Sequence, residues 1–162
     1  MKIGIVSDIH DHLAKLRAAL ERLQGAAALL CCGDICSPFA LREMGRGFPG
    51  PIHVVWGNND GDLYRLTEVS QQMPHIRVHG ELAQLELEGV RVGMVHYDDV
   101  GRLMAGGGQF DLVCFGHNHR FELGRAGRTL IINPGEACGW LTGQSTCALL
   151  DTATGQSQRL DL

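Results

Sequence analysis

An α/β fold with a parallel sheet in its first half and a second, largely antiparallel sheet in its second half is predicted by three features of the sequence. Short apolar runs alternate with amphipathic stretches up to residue 57, and strand-like runs follow one another almost without interruption from His75. Glycine-bearing turns such as EGV and RAGR join several of those later runs as hairpins. The 162 residues fit one domain, 1–162; a domain of this size buries roughly 70% of the surface of its unfolded chain.

The first strand is KIGIVS (2–7), an apolar run ending in polar residues, as in a strand buried on both faces. A helix follows in DHLAKLRAALERLQG, where Leu13, Leu16, Leu20 and Leu23 line one face and Gly25 stands just past the end. AALLCCG (27–33) is the next strand, PFALREMG a short helix with proline near its start, and PIHVVWG (51–57) the third strand. This βαβαβ order implies a parallel sheet, whose ligands sit beyond the carboxyl ends of its strands. The later strands are IRVHG, LAQLELE, VRVGMVH, DLVCFGH, FELGRAG, TLIIN, STCALLD and QSQRLDL, with one helical stretch near 99–106 that Gly106–Gly108 stops.

Composition excludes several classes. A net charge of −4, from 14 basic and 18 acidic residues without a long run of either, gives no footprint for binding duplex nucleic acid. MKIGIVSD lacks the apolar core of a secretory signal, and no apolar run nears the 18 or so residues that span a bilayer, so a soluble, cytoplasmic protein is expected. Six cysteines without a C-x-x-C pair are read as reduced and mostly buried, with Cys36 in GDIC the exception to watch. The oligomeric state is left open, a homo-oligomer included.

Metal-ligand chemistry recurs at the strand ends: Asp8 and His10 in SDIHD, Asp34 in CGDIC, Asn58, Asn59 and Asp60 in WGNND, His96 in MVHYDD, His117 and His119 in FGHNHR. A lone aspartate after a strand is usually a cap or turn residue, and a lone histidine an ordinary one. Five coincidences on one sheet edge are instead a nitrogen- and oxygen-rich metal site. Seven candidates (Asp8, His10, Asp34, Asn58, His96, His117, His119) exceed the needs of one tetrahedral ion, so two ions sharing a bridging carboxylate are expected. On an extended segment His117 and His119 would alternate in direction and face different ions.

In this order the blocks resemble those of the calcineurin-like metallophosphoesterases, over about residues 1–155, and INPGEACGWLTG is similar to the N-P-G block of their small archaeal and bacterial phosphodiesterases. The resemblance implies two mixed β-sheets packed as a sandwich flanked by helices, four layers α/β/β/α. It implies one ion on Asp8, His10 and His119, a second on Asn58, His96 and His117, and Asp34 between them. It further implies hydrolysis of a small phosphoester, most simply a diester, by a water that two divalent ions activate. Mn²⁺ is the first choice of metal, with Ni²⁺, Fe²⁺ and Zn²⁺ as alternatives.

Asn58 would also donate to a phosphoryl oxygen, and backbone amides near Gly135 would close the site. Asp60 is either an orienting group behind the ligands or the cap of a helix starting at Gly61. Two departures bear on substrate. Asn59 stands where relatives with strong monoesterase activity carry the proton-donating histidine; His12 is either a substitute donor or, as is commoner for an imidazole at a helix start, a solvent-facing residue, and Tyr97 adds bulk where a glycine is usual. The competing class is a metal-binding scaffold of the same fold, as in a related retromer subunit. Against it, all seven ligand positions are filled. A redox di-metal protein would need Glu-x-x-His pairs, which the chain lacks.

Overall fold

The computed structural model describes all residues, 1–162. Its first half runs β1 (Lys2–Val6), α1 (Leu13–Arg22), β2 (Ala28–Cys31), α2 (Pro38–Gly47), β3 (Ile52–Val54), α3 (Leu63–Gln72) and β4 (Ile76–Val78). The second half runs β5 (Leu82–Leu87), β6 (Val90–Val95), α4 (Asp98–Gly106), β7 (Leu112–Cys114), β8 (Phe121–Ala126), β9 (Thr129–Pro134), β10 (Thr146–Asp151) and β11 (Gln156–Asp161).

The first sheet has the order β11-β10-β1-β2-β3-β4, and the second β5-β6-β7-β9-β8. The strands β1 to β4 are mutually parallel, while β10 and β11 add antiparallel at the β1 edge. The expected largely antiparallel second sheet is corrected here. β4, β10 and β11 leave for the first sheet, and β6–β7 and β7–β9 are parallel pairs. The cause is connectivity: α4 carries the chain from β6 to β7, and the β8–β9 hairpin is placed so that β9 rather than β8 lies against β7.

Period-two alternation builds three apolar layers. Ile3, Ile5, Leu30 and Cys32 point between the sheets, meeting Val92, Met94, Leu112, Cys114 and Ile132. Val6, Leu29, Cys31, Ile52 and Val54 point the other way, onto Leu16, Leu20, Leu41, Met44 and Leu66 of α1 to α3. A third cluster, with Val95, Val113, Phe115 and Ile131, is covered by Ala105 of α4. The result is the four-layer α/β/β/α sandwich that the resemblance implied. The helix at α3 is capped by Asp62, whose side chain accepts from Arg65 N–H at 3.1 Å, so of the two readings of Asp60 the helix cap falls away.

Candidate metal centre

The loops that leave β1, β2, β3, β6 and β7 meet at one edge of the sandwich and bring all seven candidate ligands together. Asp8 Oδ1 lies 3.3 Å from His119 Nε2 and 3.8 Å from His10 Nε2. Asn58 Oδ1 lies 3.1 Å from His96 Nε2 and 3.0 Å from His117 Nδ1. Asp34 Oδ2 is 3.5 Å from both His10 Nε2 and His96 Nε2, and so stands between the two groups.

Close approach of the loops demands glycine before the ligands. A Cβ at Gly57 would collide with the Asp34 carboxylate, and one at Gly116 with Ser7 Oγ and with Asp8 Oδ2. Five of the seven candidates, Asp8, His10, Asp34, His117 and His119, have positive φ between 44° and 68°. Left-handed backbone at a non-glycine residue costs of order 1–3 kcal/mol, and such strain persists where it positions functional groups. The expectation that His117 and His119 alternate along an extended strand is therefore corrected. Both are left-handed, and it is this turn that sends one ring toward Asn58 and the other toward Asp8.

The donor set fits a cation. His96 Nδ1 donates to the Cys32 carbonyl at 2.7 Å, so the neutral ring turns an acceptor, Nε2, toward two further acceptors, Asp34 Oδ2 and Asn58 Oδ1. His119 Nδ1 is held at 2.8 Å by Glu136 Oε2, which turns its Nε2 toward Asp8 in the same way. Asp8 Oδ1 and His10 Nε2 are buried without any hydrogen-bond partner. Converging acceptors with no donor between them are costly when buried, and a cation relieves that cost.

The neighbours fix this arrangement. Asn59 donates to both Asp34 oxygens, from its backbone N–H and its side-chain amide, each at 2.8 Å. Burial pushes the Asp34 carboxyl up, but His96, when its ring carries a second proton, and the two bonds from Asn59 hold it well below the usual carboxylate range. Asp60 is buried and accepts backbone N–H groups from Gly57, Asp34, Ile35 and Cys36 at 2.7–3.1 Å, lashing the β3 loop to the β2 loop. All of those bonds are to backbone, so Asp60 orients the loop of Asp34. His12 sits at the start of α1 beside Trp140, with ring centroids 5.8 Å apart. Tyr97 stands edge-on to His117 and His96, at 4.9 and 5.5 Å, the bulk expected of it. The Gly135 N–H is spent on Asn133 Oδ1 at 2.9 Å, and the nearby Ala137 and Cys138 N–H groups donate to the Ser7 and Asp8 carbonyls. Cys36 lies 3.5 Å from His10 Nδ1, and burial pushes its thiol up to about 12.

Sequence reasoning missed Glu136, Cys138 and Trp140. Glu136 is fully buried; besides His119 it receives Leu141 N–H, Thr142 N–H, the Thr142 hydroxyl and the Cys138 thiol. Burial pushes its carboxyl up, but those donors hold it down to about 2. The one available signal was an acid between Gly135 and Ala137, just after a buried strand. The Cys138 thiol groups with the His10 and His119 nitrogens within 4.8 Å. His53, His75 and His79 are placed elsewhere: His53 Nδ1 contacts His79 Nε2 at 3.0 Å, and His75 contacts the Gly45 carbonyl. A cleft of about 370 Å³ between α2 and α3 is lined by Phe39, Arg42 and Arg65 and holds none of the seven.

Comparison with known proteins identifies the family. The chain is 33% identical over 156 residues to the phosphodiesterase MJ0936 of Methanocaldococcus jannaschii, covering 94% of this chain and 93% of that one. The structure described as a novel archaeal phosphodiesterase superposes with a TM-score of 0.92 at 32% identity, over 100% of both chains. At 19% identity, the Escherichia coli phosphoesterase Yfce shares the fold with a TM-score of 0.70, over 99% of this chain and 98% of that one. Vps29 of Entamoeba histolytica, at 18% identity, also reaches 0.70, over 100% and 99%. The family model of the calcineurin-like phosphoesterase superfamily domain matches residues 1–155. With strand-end blocks, fold and family model in agreement over nearly the whole chain, the protein belongs to the calcineurin-like phosphoesterase superfamily.

Proposed function

We propose that the protein is a phosphodiesterase that holds two divalent cations, one on Asp8, His10 and His119, the other on Asn58, His96 and His117, with Asp34 shared. The observation that carries this reading is the convergence of acceptors around Asp34, with Asp8 Oδ1 and His10 Nε2 buried and unpartnered. When bound, the cations acidify a water and polarise the phosphoryl oxygens. Mn²⁺ is the first candidate, ahead of Ni²⁺, Fe²⁺ and Zn²⁺, since nitrogen and oxygen donors accept all of them.

The chain's own residues do the positioning. Asn58 directs its carbonyl oxygen at two imidazoles, leaving its NH₂ to donate to a phosphoryl oxygen. Asp60 and Asn59 hold Asp34, and Glu136 holds His119. Asn59 is a neutral amide already engaged with Asp34, so it gives the leaving group no proton; His12 is the remaining imidazole at the rim beyond the ligand set. Without a donor the rate should depend steeply on leaving-group acidity, with aryl diesters cleaved faster than alkyl monoesters; a flat dependence that turns steep in His12→Ala would assign the proton to His12. Six free cysteines suit a reducing compartment, consistent with a cytoplasmic enzyme.

The test strips the protein with chelator, restores Mn²⁺, Ni²⁺, Fe²⁺, Zn²⁺ or Mg²⁺ singly, and screens mono- and diesters. Metal-dependent turnover of diesters supports the reading. Stoichiometric metal binding without turnover of any ester would make the chain a scaffold of the same fold. No helix is long and apolar enough to cross a membrane, so the assays need no detergent.

A further inference from the structure

We infer that Asn118, the residue between His117 and His119, is a positioning residue for the whole metal centre: its side-chain amide clamps the turn that delivers one histidine to each proposed cation. The inference rests on the two-cation reading above and adds to it the group that sets both sites at once. Asn118 is held through its side chain by three partners. Its Nδ2 donates to Asp98 Oδ2 at 2.8 Å, and its Oδ1 accepts from Arg120 N–H and from Asn133 Nδ2, each at 2.9 Å. None of these partners is a candidate ligand, and each comes from a different stretch of chain. Asp98 opens α4 two residues after His96, Asn133 lies in β9, and Arg120 immediately precedes β8.

The turn needs such a clamp because its backbone is unfavourable. His117 and His119 have φ of 68° and 61°, a region that sterics close to most non-glycine residues, while Asn118 between them is not left-handed. Two such residues around an ordinary one persist only where the surroundings impose them, and relaxation of either would swing its ring away from Asn58 or Asp8. The anchor behind Asn118 is rigid. Asn133 is fully buried, donates also to the Gly116 carbonyl at 3.0 Å and accepts Gly135 N–H at 2.9 Å, so its amide keeps one orientation. The three bonds of Asn118 ask one short planar group to accept twice and donate once, which an asparagine amide supplies and a carboxylate does not. Because His117 and His119 belong to different proposed cations, loosening this turn should weaken both. Glu136, by contrast, holds only His119 among the seven candidate ligands.

Calorimetric titration of metal-stripped protein with Mn²⁺, which needs no substrate, tests this. Asn118→Ala should lower the affinity of both equivalents about 10- to 100-fold. Asn118→Asp removes the donor and sets a carboxylate against Asp98. Its added negative charge alone would tighten cation binding, so the weaker binding expected of it assigns the effect to the turn. The exchanged pair, Asn118→Asp with Asp98→Asn, restores the bond with its direction reversed and returns the net charge to −4, and should recover most of the lost affinity. The visible spectrum of the Co²⁺-loaded protein, which reports ligand geometry, should change in Asn118→Ala and return in the exchanged pair; a loss of folding stability alone would give neither result. Unchanged Mn²⁺ affinity in Asn118→Ala, a loss confined to one equivalent, tighter binding in Asn118→Asp, or an exchanged pair as weak as Asn118→Asp would overturn the inference. Should Asn118→Ala fail to fold, the other two variants decide it. Absence of Mn²⁺ binding by the wild type would instead overturn the two-cation reading, and this inference with it.

Discussion

At the residue scale the proposed metal centre depends on which atoms face one another. Asp34 is the single carboxylate within 3.5 Å of a histidine from each proposed group, so removing its charge should disturb both cations together. We expect Asp34→Asn to lose both metals in parallel and to lower turnover at least about 100-fold; elemental analysis of the purified variant, beside its rate, checks this. Glu136→Gln should act more locally. It keeps the shape but weakens the hold on His119 Nδ1, so metal affinity should fall about 10- to 100-fold, read by titration of the stripped protein. The seven candidate ligands were legible because aspartate, asparagine and histidine recur after apolar runs that a parallel sheet must align. Their left-handed backbone was not legible, since sterics disfavour it and only the packed loops impose it. Glu136 escaped for a related reason: its contact with His119 comes from a loop fold that no periodicity encodes.

At the scale of elements, the strands of the first half and the helices α1 and α2 follow their apolar periodicity closely. The assignment of β10 and β11 to a sheet was not legible, because alternation reports which face is buried and not which neighbour pairs. Leu30 of β2 lies fully buried between the two sheets, and Leu30→Ala should cost about 2–5 kcal/mol by denaturant unfolding. The β3–β4 pair carries a pH dependence of its own. Burial, with the charges of His79 and Arg77, pushes buried His53 down to about 4 from 6.5. The unfolded chain therefore binds a proton that the folded chain refuses between those values. The stability this residue contributes is complete above about pH 6.5 and is lost as the pH falls toward about 4, by on the order of 3 kcal/mol. Denaturant midpoints of His53→Gln should be flatter than those of the wild type over that window; equal slopes would show that His53 is not the group responsible.

At the scale of the whole molecule, the sandwich exists to bring five loops to one edge, and the third apolar layer under α4 keeps β6 and β7 parallel so that His96 and His117 emerge there together. The sandwich's layers came from the resemblance; composition and periodicity alone reached a parallel half and a strand-rich half. The proposed function requires that this edge hold a pair of cations that act as one centre. The most direct test titrates metal-stripped protein with Mn²⁺, counting bound equivalents against turnover of an aryl phosphodiester. Two equivalents per chain are expected, with full turnover reached only as the second binds. Full activity at one equivalent, or saturation at one, would contradict it.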